Sequence, residues 1–206
     1  MNQKLFFSCL VYIFLTNCNS SEKKTNAIAE AEKTISHETL QVPVDFSNID
    51  ASYSTLIKAI NEHNDIIFDQ LISKTGLFII ATKEEHCVIK KHYHINEFQL
   101  NGKTIFETNK VRLSKKFKKG ELPIKDCSKK NPFNKKGAFG KGINLLLHSG
   151  FPKNCISEEF STSMLIKAVA IITYTVVNTD FGVFYFNKEN NQWKLVFLDI
   201  RKPCDY

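Results

Sequence analysis

The sequence predicts an α+β domain in which an antiparallel sheet packs on one or two helices. Three observations carry that prediction. An apolar stripe at helical spacing opens the folded part, and β-compatible runs follow it around a strong turn signal. A three-strand meander then closes the chain. With 206 residues, of which 43% are hydrophobic and 12% aromatic, there is enough apolar surface for one substantial core but hardly for two.

The helical stripe consists of Tyr53, Leu56, Ile57, Ile60, Ile67, Phe68, Leu71 and Ile72, with Asp50 or Ser52 as caps and Gly76 at the far end. His63 and Asn64 interrupt it where another hydrophobe is expected. The pair is a candidate to line a pocket, although the pattern favours a helix bend or a satisfied buried polar pair. Leu77-Phe78-Ile79-Ile80-Ala81 reads as a strand, and Cys87 to Leu100 as a second one. Asn101-Gly102 is a hairpin signal, because both residues tolerate the left-handed backbone that a tight turn needs. Ser157-Glu158-Glu159 reads as the capped start of a second helix reaching Met164 or Lys167. Ala168 to Val177, Gly182 to Asn187 and Trp193 to Ile200 form the meander, with turns at 178–180 and 188–192.

Charge is segregated. From Lys110 to Lys141 there are twelve Lys or Arg and only two acids, Glu121 and Asp126, a net of +10. Without Lys4 the chain carries +6, so the remainder is −4. With Gly120, Pro123, Pro132, Gly137 and Gly140, residues 110–142 read as a long basic loop or insertion. Such a surface suits anionic headgroups or acidic envelope glycans, or serves as a solvated face. Nucleic acid is not expected, because only Phe117, Phe133 and Phe139 are there to stack on bases.

At the N-terminus, Lys4 precedes the apolar run Leu5 to Leu15, which has the layout of a secretory leader. Its eleven residues fall well short of the roughly 20 that a spanning helix requires. Leu15-Thr16-Asn17-Cys18 resembles the lipobox of bacterial lipoproteins, with Asn17 departing from the usual small residue before the cysteine. The resemblance implies cleavage before Cys18 and lipidation of its thiol, with acyl chains stabilising anchorage by about 0.8 kcal/mol per buried methylene. Residues 1–17 are then the signal peptide. Residues 18–41, rich in Ser, Lys, Glu, Ala and Thr and without aromatics, are a flexible tether, and 42–206 are the single domain. The order of helix, hairpin and meander is also similar to the nuclear-transport-factor-like and cystatin-like superfolds, and the closing strand Trp193 to Asp199 resembles that of small lipoprotein domains. These resemblances imply a curved sheet and no particular function.

Export to an oxidising compartment leaves Cys87, Cys127, Cys155 and Cys204, enough for two disulfides in any of three connectivities. Cys127 and Cys155 flank the lysine-rich region and are the favoured pair; four solitary thiols are the competing reading. His86, His92 and His94 share one face of an unbroken strand. As Zn²⁺ or Cu²⁺ ligands they are weak candidates, because no carboxylate accompanies them on that face, and a solvent-facing row is favoured.

Nothing in the sequence assembles a catalytic site. His148-Ser149-Gly150 has no nucleophile-elbow context, and Gly137 to Gly142 lacks the spacing and hydroxyl of a phosphate loop. Asp199 and Arg201 read as a structural ion pair. No cofactor motif is present. Two functions therefore stand side by side. One is a membrane-anchored binding module for an anionic envelope component or a protein partner. The other is a small hydrolase or isomerase using polar residues such as His63 inside a cone-shaped sheet.

Overall fold

The computed structural model describes residues 46–108, 111–148, 155, 157, 160–202 and 204. They belong to the second of two units, Val42–Tyr206. The elements are α1 (Ile49–Glu62), α2 (Asp65–Asp69), β1 (Leu77–Lys83), β2 (His86–His92), β3 (Lys118–Lys119), β4 (Ala138–Lys141), α3 (Leu145–His148), α4 (Thr162–Ala170), β5 (Tyr174–Asn178), β6 (Gly182–Glu189) and β7 (Gln192–Asp199), with a short 3-10 turn at Ile95–Glu97.

The fold is α+β, and its seven strands form one sheet in the order β2-β1-β7-β6-β5-β4-β3. An all-antiparallel sheet is not what forms. β1 runs parallel to β7, with Phe78 opposite Phe197 and Ile80 opposite Asp199, and β3 runs parallel to β4. The β1–β2 hairpin turns outward, which leaves β1 free to take the last strand of the chain as its inner neighbour.

Both faces of the sheet are covered. On one, Tyr53, Leu56, Ile57 and Ile60 of α1 meet Val176, Phe184, Phe186, Leu195 and Leu198. On the other, Leu165, Ala168 and Val169 of α4, with Leu146 of α3, meet Phe78, Ile80, Tyr185 and Phe197. This double cover explains why Leu77 to Ala81 is buried without alternation. In β7, Leu195 and Leu198 face α1, whereas Val196 and Phe197 face α4. A bulge resolves that broken alternation: Tyr185 pairs with Phe197 and Phe186 with Leu195, leaving Val196 as the extra residue.

The expected single opening helix is two. His63 adopts φ 53° and terminates α1, its N–H donating to the Ile60 carbonyl, and the Asn64 side chain then caps α2 by accepting from the Ile67 N–H at 2.9 Å. The second expected helix begins later than Ser157. Ser161 is its cap, with Oγ accepting from the Met164 N–H at 3.3 Å, and the helix runs through Ala170, so β5 starts at Tyr174 rather than Ala168. Leu165, Ala168 and Val169, at helical spacing, are the buried residues that decide it. The second strand ends at His92, not Leu100. Asn101 and Gly102 do make a tight turn, with φ 52° and 73° and Leu100 and Lys103 exchanging both backbone hydrogen bonds, but no long strands flank it.

The lysine-rich stretch is not simply a loop, because it contributes β3 and β4 at the far edge of the sheet. Gly140 of β4 is required there: a Cβ at that position would collide with the Phe117 ring.

Candidate functional site

Histidines and carboxylates gather where β2, the 3-10 turn and α2 meet. Because β2 stops at His92, only His86 and His92 of the three histidines lie on the strand, and the shared face expected for all three does not form. His86 is exposed beside the β1–β2 turn. His92 is largely covered, with 11% of its side chain exposed; its ring sits edge-on to Phe98, and Nδ1 lies 3.7 Å from Glu97 Oε2. The solvent-facing row expected of these residues therefore fails at His92. His94 begins the 3-10 turn and places Nδ1 2.9 Å from Asp69 Oδ2.

Asp69 is used twice, since its other oxygen accepts the Ile95 N–H at 2.8 Å. Glu97 accepts the N–H of Tyr93 at 3.3 Å. The hydrogen bond to Asp69, and then the charge of that carboxylate, raise the His94 pKa above its ordinary value. The arrangement can hold and release a proton at an exposed imidazole while it clamps α2 to the end of β2. Among the described residues, no group of three or more His, Cys, Asp or Glu is placed to hold a metal ion.

His63 and Asn64 form the α1–α2 junction. The His63 ring is exposed and stacks on Phe106 at 5.6 Å, and Asn64 is engaged as a cap. Asp199 and Arg201 form the expected pair at a strand end, through Nε at 2.9 Å and Nη2 at 2.6 Å.

The four cysteines form two disulfides, but the expected Cys127–Cys155 pair is not one of them. Cys87 bonds Cys155, and Cys127 bonds Cys204. The first crosslinks β2 to the segment preceding α4, and the second joins the lysine-rich stretch to the chain beyond β7. Flanking a charged stretch gave Cys127 and Cys155 a plausible entropy gain, yet strand order sets which thiols meet, and a pattern of cysteine spacing carries no strand order. The two disulfides suggest an oxidising, extracytoplasmic location.

Within the basic stretch, residues 113–119 lie along α1 in the opposite direction. Leu113 meets Asn61, Lys115 approaches Glu62 at 3.8 Å, the Phe117 ring stands edge-on to Tyr53 at 5.2 Å, and Lys119 pairs with Asp50 at 2.6 Å. Farther on, Ile124 and Asn134 hydrogen-bond, Lys125 bridges Phe133, and the Asp126 N–H donates to the Pro132 carbonyl at 2.7 Å. The stretch thus doubles back on itself, with Cys127 near its tip. No sequence signal identified this order; the alternation of Leu113, Lys115, Phe117 and Lys119 is the trace that carries it.

Cys18, the leader and the tether lie outside the described residues. Among the described residues, no helix is long and apolar enough to cross a membrane. No protein-family model, curated protein or solved structure matches the chain.

Proposed function

We propose that this chain is an exported lipoprotein, cut before Cys18 and held at a bilayer by acyl chains on that thiol. Residues 42–206 act as a binding module of the cell envelope, and the basic stretch at 110–142 is its contact surface for an anionic component or a protein partner. The observation that carries the reading is the pairing of Cys87, Cys127, Cys155 and Cys204 in two disulfides, which leaves Cys18 as the one cysteine beyond the leader for lipid. A chain kept in a reducing compartment would gain nothing from such bonds. The hydrolase or isomerase alternative draws little support from His63, whose ring lies exposed on Phe106 rather than enclosed in a cavity, with Glu107 as its charged neighbour.

Mass spectrometry of the mature N-terminus tests the proposal. An acylated Cys18 is expected, and a free, unmodified terminus at or beyond that position would remove the anchor. Deleting residues 110–142 is a poor probe of the contact surface, because it removes β3, β4 and Cys127 together. Neutralising exposed lysines leaves those elements in place.

A further inference from the structure

The basic stretch sorts its cations into two groups. Odd-numbered residues from Leu113 to Lys119 reach α1, the last through an exposed lysine, and the exposed Ser114, Lys116 and Lys118 alternate with them. The stretch has only two acids, and both are occupied: Glu121 by Lys141 at 2.7 Å and Asp126 by Lys129 at 3.0 Å. Among the described residues, Lys116 and Lys118 form no ion pair, and Lys135 makes none within 4.0 Å although its charge helps to lower the Glu121 pKa.

Two of these cations lie near the same aromatic ring. Lys118 Nζ lies 6.0 Å and Lys135 Nζ 5.4 Å from the centroid of one ring, Phe139. The Lys135 ammonium is steadied by donating to the Glu121 carbonyl at 3.1 Å. Ile124 stands on the strand-like pair next to Lys135 and is 68% exposed. Its backbone is fixed on both sides by Asn134: its N–H donates to Oδ1 at 2.9 Å, and its carbonyl accepts the Asn134 N–H at 3.1 Å. The isoleucine is therefore presented to solvent by ordered backbone.

We propose that Lys116, Lys118, Lys135 and Ile124 form a surface that docks on anionic phospholipid headgroups. The lysines meet lipid phosphates, and Ile124 enters the boundary between headgroups and acyl chains. A soluble polyanion would satisfy the lysines but has no apolar layer for a presented isoleucine, and that side chain selects the bilayer. The inference rests on the membrane-anchored reading above and adds a second contact, made by the folded domain itself.

The mature Cys18→Ser chain, residues 18–206 without the leader, separates this surface from the lipid anchor. Its partition is measured onto vesicles of phosphatidylcholine alone and onto vesicles containing about one third phosphatidylglycerol. At about fivefold per lysine, three lysines give an excess on the order of 100-fold on the anionic vesicles. That excess is expected to collapse in high salt and in the Lys116→Gln, Lys118→Gln, Lys135→Gln variant; Lys116 and Lys118 are exposed and Lys135 is half-buried, so an unchanged urea midpoint accompanies the comparison. Ile124→Ser is expected to weaken anionic-vesicle binding several-fold while leaving its salt dependence. No anionic excess, or an excess that survives the triple substitution, overturns the proposal. An unchanged Ile124→Ser together with full competition by soluble polyphosphate would reassign the surface to a soluble polyanion and also overturn it. Failure of the anchor reading shows separately, in the mass of the mature N-terminus.

Discussion

Asn61 and Leu113, 52 positions apart, exchange two hydrogen bonds: the Asn61 amide donates to the Leu113 carbonyl, and the Leu113 N–H donates back to the Asn61 side chain, each at 2.9 Å. One side chain thus satisfies both backbone groups of a residue that belongs to no strand. Asn61→Ala is expected to cost about 2 kcal/mol, because a part-buried N–H and carbonyl lose their partners together. Urea unfolding measures this. Asn61→Asp is a useful companion: it can keep the acceptor but not the donor, and an intermediate loss is expected.

The cysteine pairing is open to direct test. Peptide mapping without reduction is expected to release one linked peptide pair containing Cys87 with Cys155 and another containing Cys127 with Cys204. A Cys127–Cys155 peptide would refute this arrangement. With partners 68 and 77 positions apart, the chain-entropy account gives about 4 kcal/mol for either bond alone. Replacing one pair by serines should therefore lower the melting temperature markedly under non-reducing conditions.

The His94–Asp69 contact predicts a pH dependence with a definite sign. The folded-state pKa of His94 is raised, so its contribution is fully present below the unfolded-state pKa and is lost as pH rises through the folded-state value. Asp69→Asn is expected to return the His94 titration, followed by NMR, towards its ordinary value. The same substitution should destabilise the protein more at pH 5 than at pH 8. A loss equal at both pH values would trace to the Ile95 N–H bond alone.

Glu84 and Glu85 join β1 to β2 in a two-residue turn with φ 49° and 68°. Two glutamates in left-handed backbone carry a steric cost that asparagine and glycine largely escape. Replacing them by Asn-Gly is expected to stabilise the protein by about 1 kcal/mol, read as a higher denaturation midpoint with unchanged slope.

The parts of the fold that were legible in the sequence are local ones. The α1 stripe, the Asn101-Gly102 turn and the β5-β6-β7 meander each depend on residues close in sequence, and periodicity or turn chemistry exposes them. The parallel pairing of β1 with β7 depends on segments more than 100 residues apart, and no periodic signal encodes such a neighbour. The same nonlocality hid which cysteines meet. At α4 the difficulty was chemical. Val169, Ile171, Ile172 and Thr173 are β-branched and read as strand, but the Ser161 cap and burial against Phe78 and Phe197 carry the helix through Ala170. At the candidate site, residue parity reports a shared face only along an unbroken strand, and the turn at Ile95 redirects His94 to a helix distant in sequence.

The two disulfides overlap along the chain, since Cys127 falls between Cys87 and Cys155, and Cys155 between Cys127 and Cys204. Any single peptide bond cut from residue 87 to residue 204 is therefore spanned by at least one sulfur bridge. A protease that nicks the exposed lysines of 110–142 once leaves both fragments covalently joined, and the molecule keeps its mass until a reductant is added. In an oxidising, extracytoplasmic location such as the disulfides suggest, that linkage keeps the molecule whole through a first cleavage.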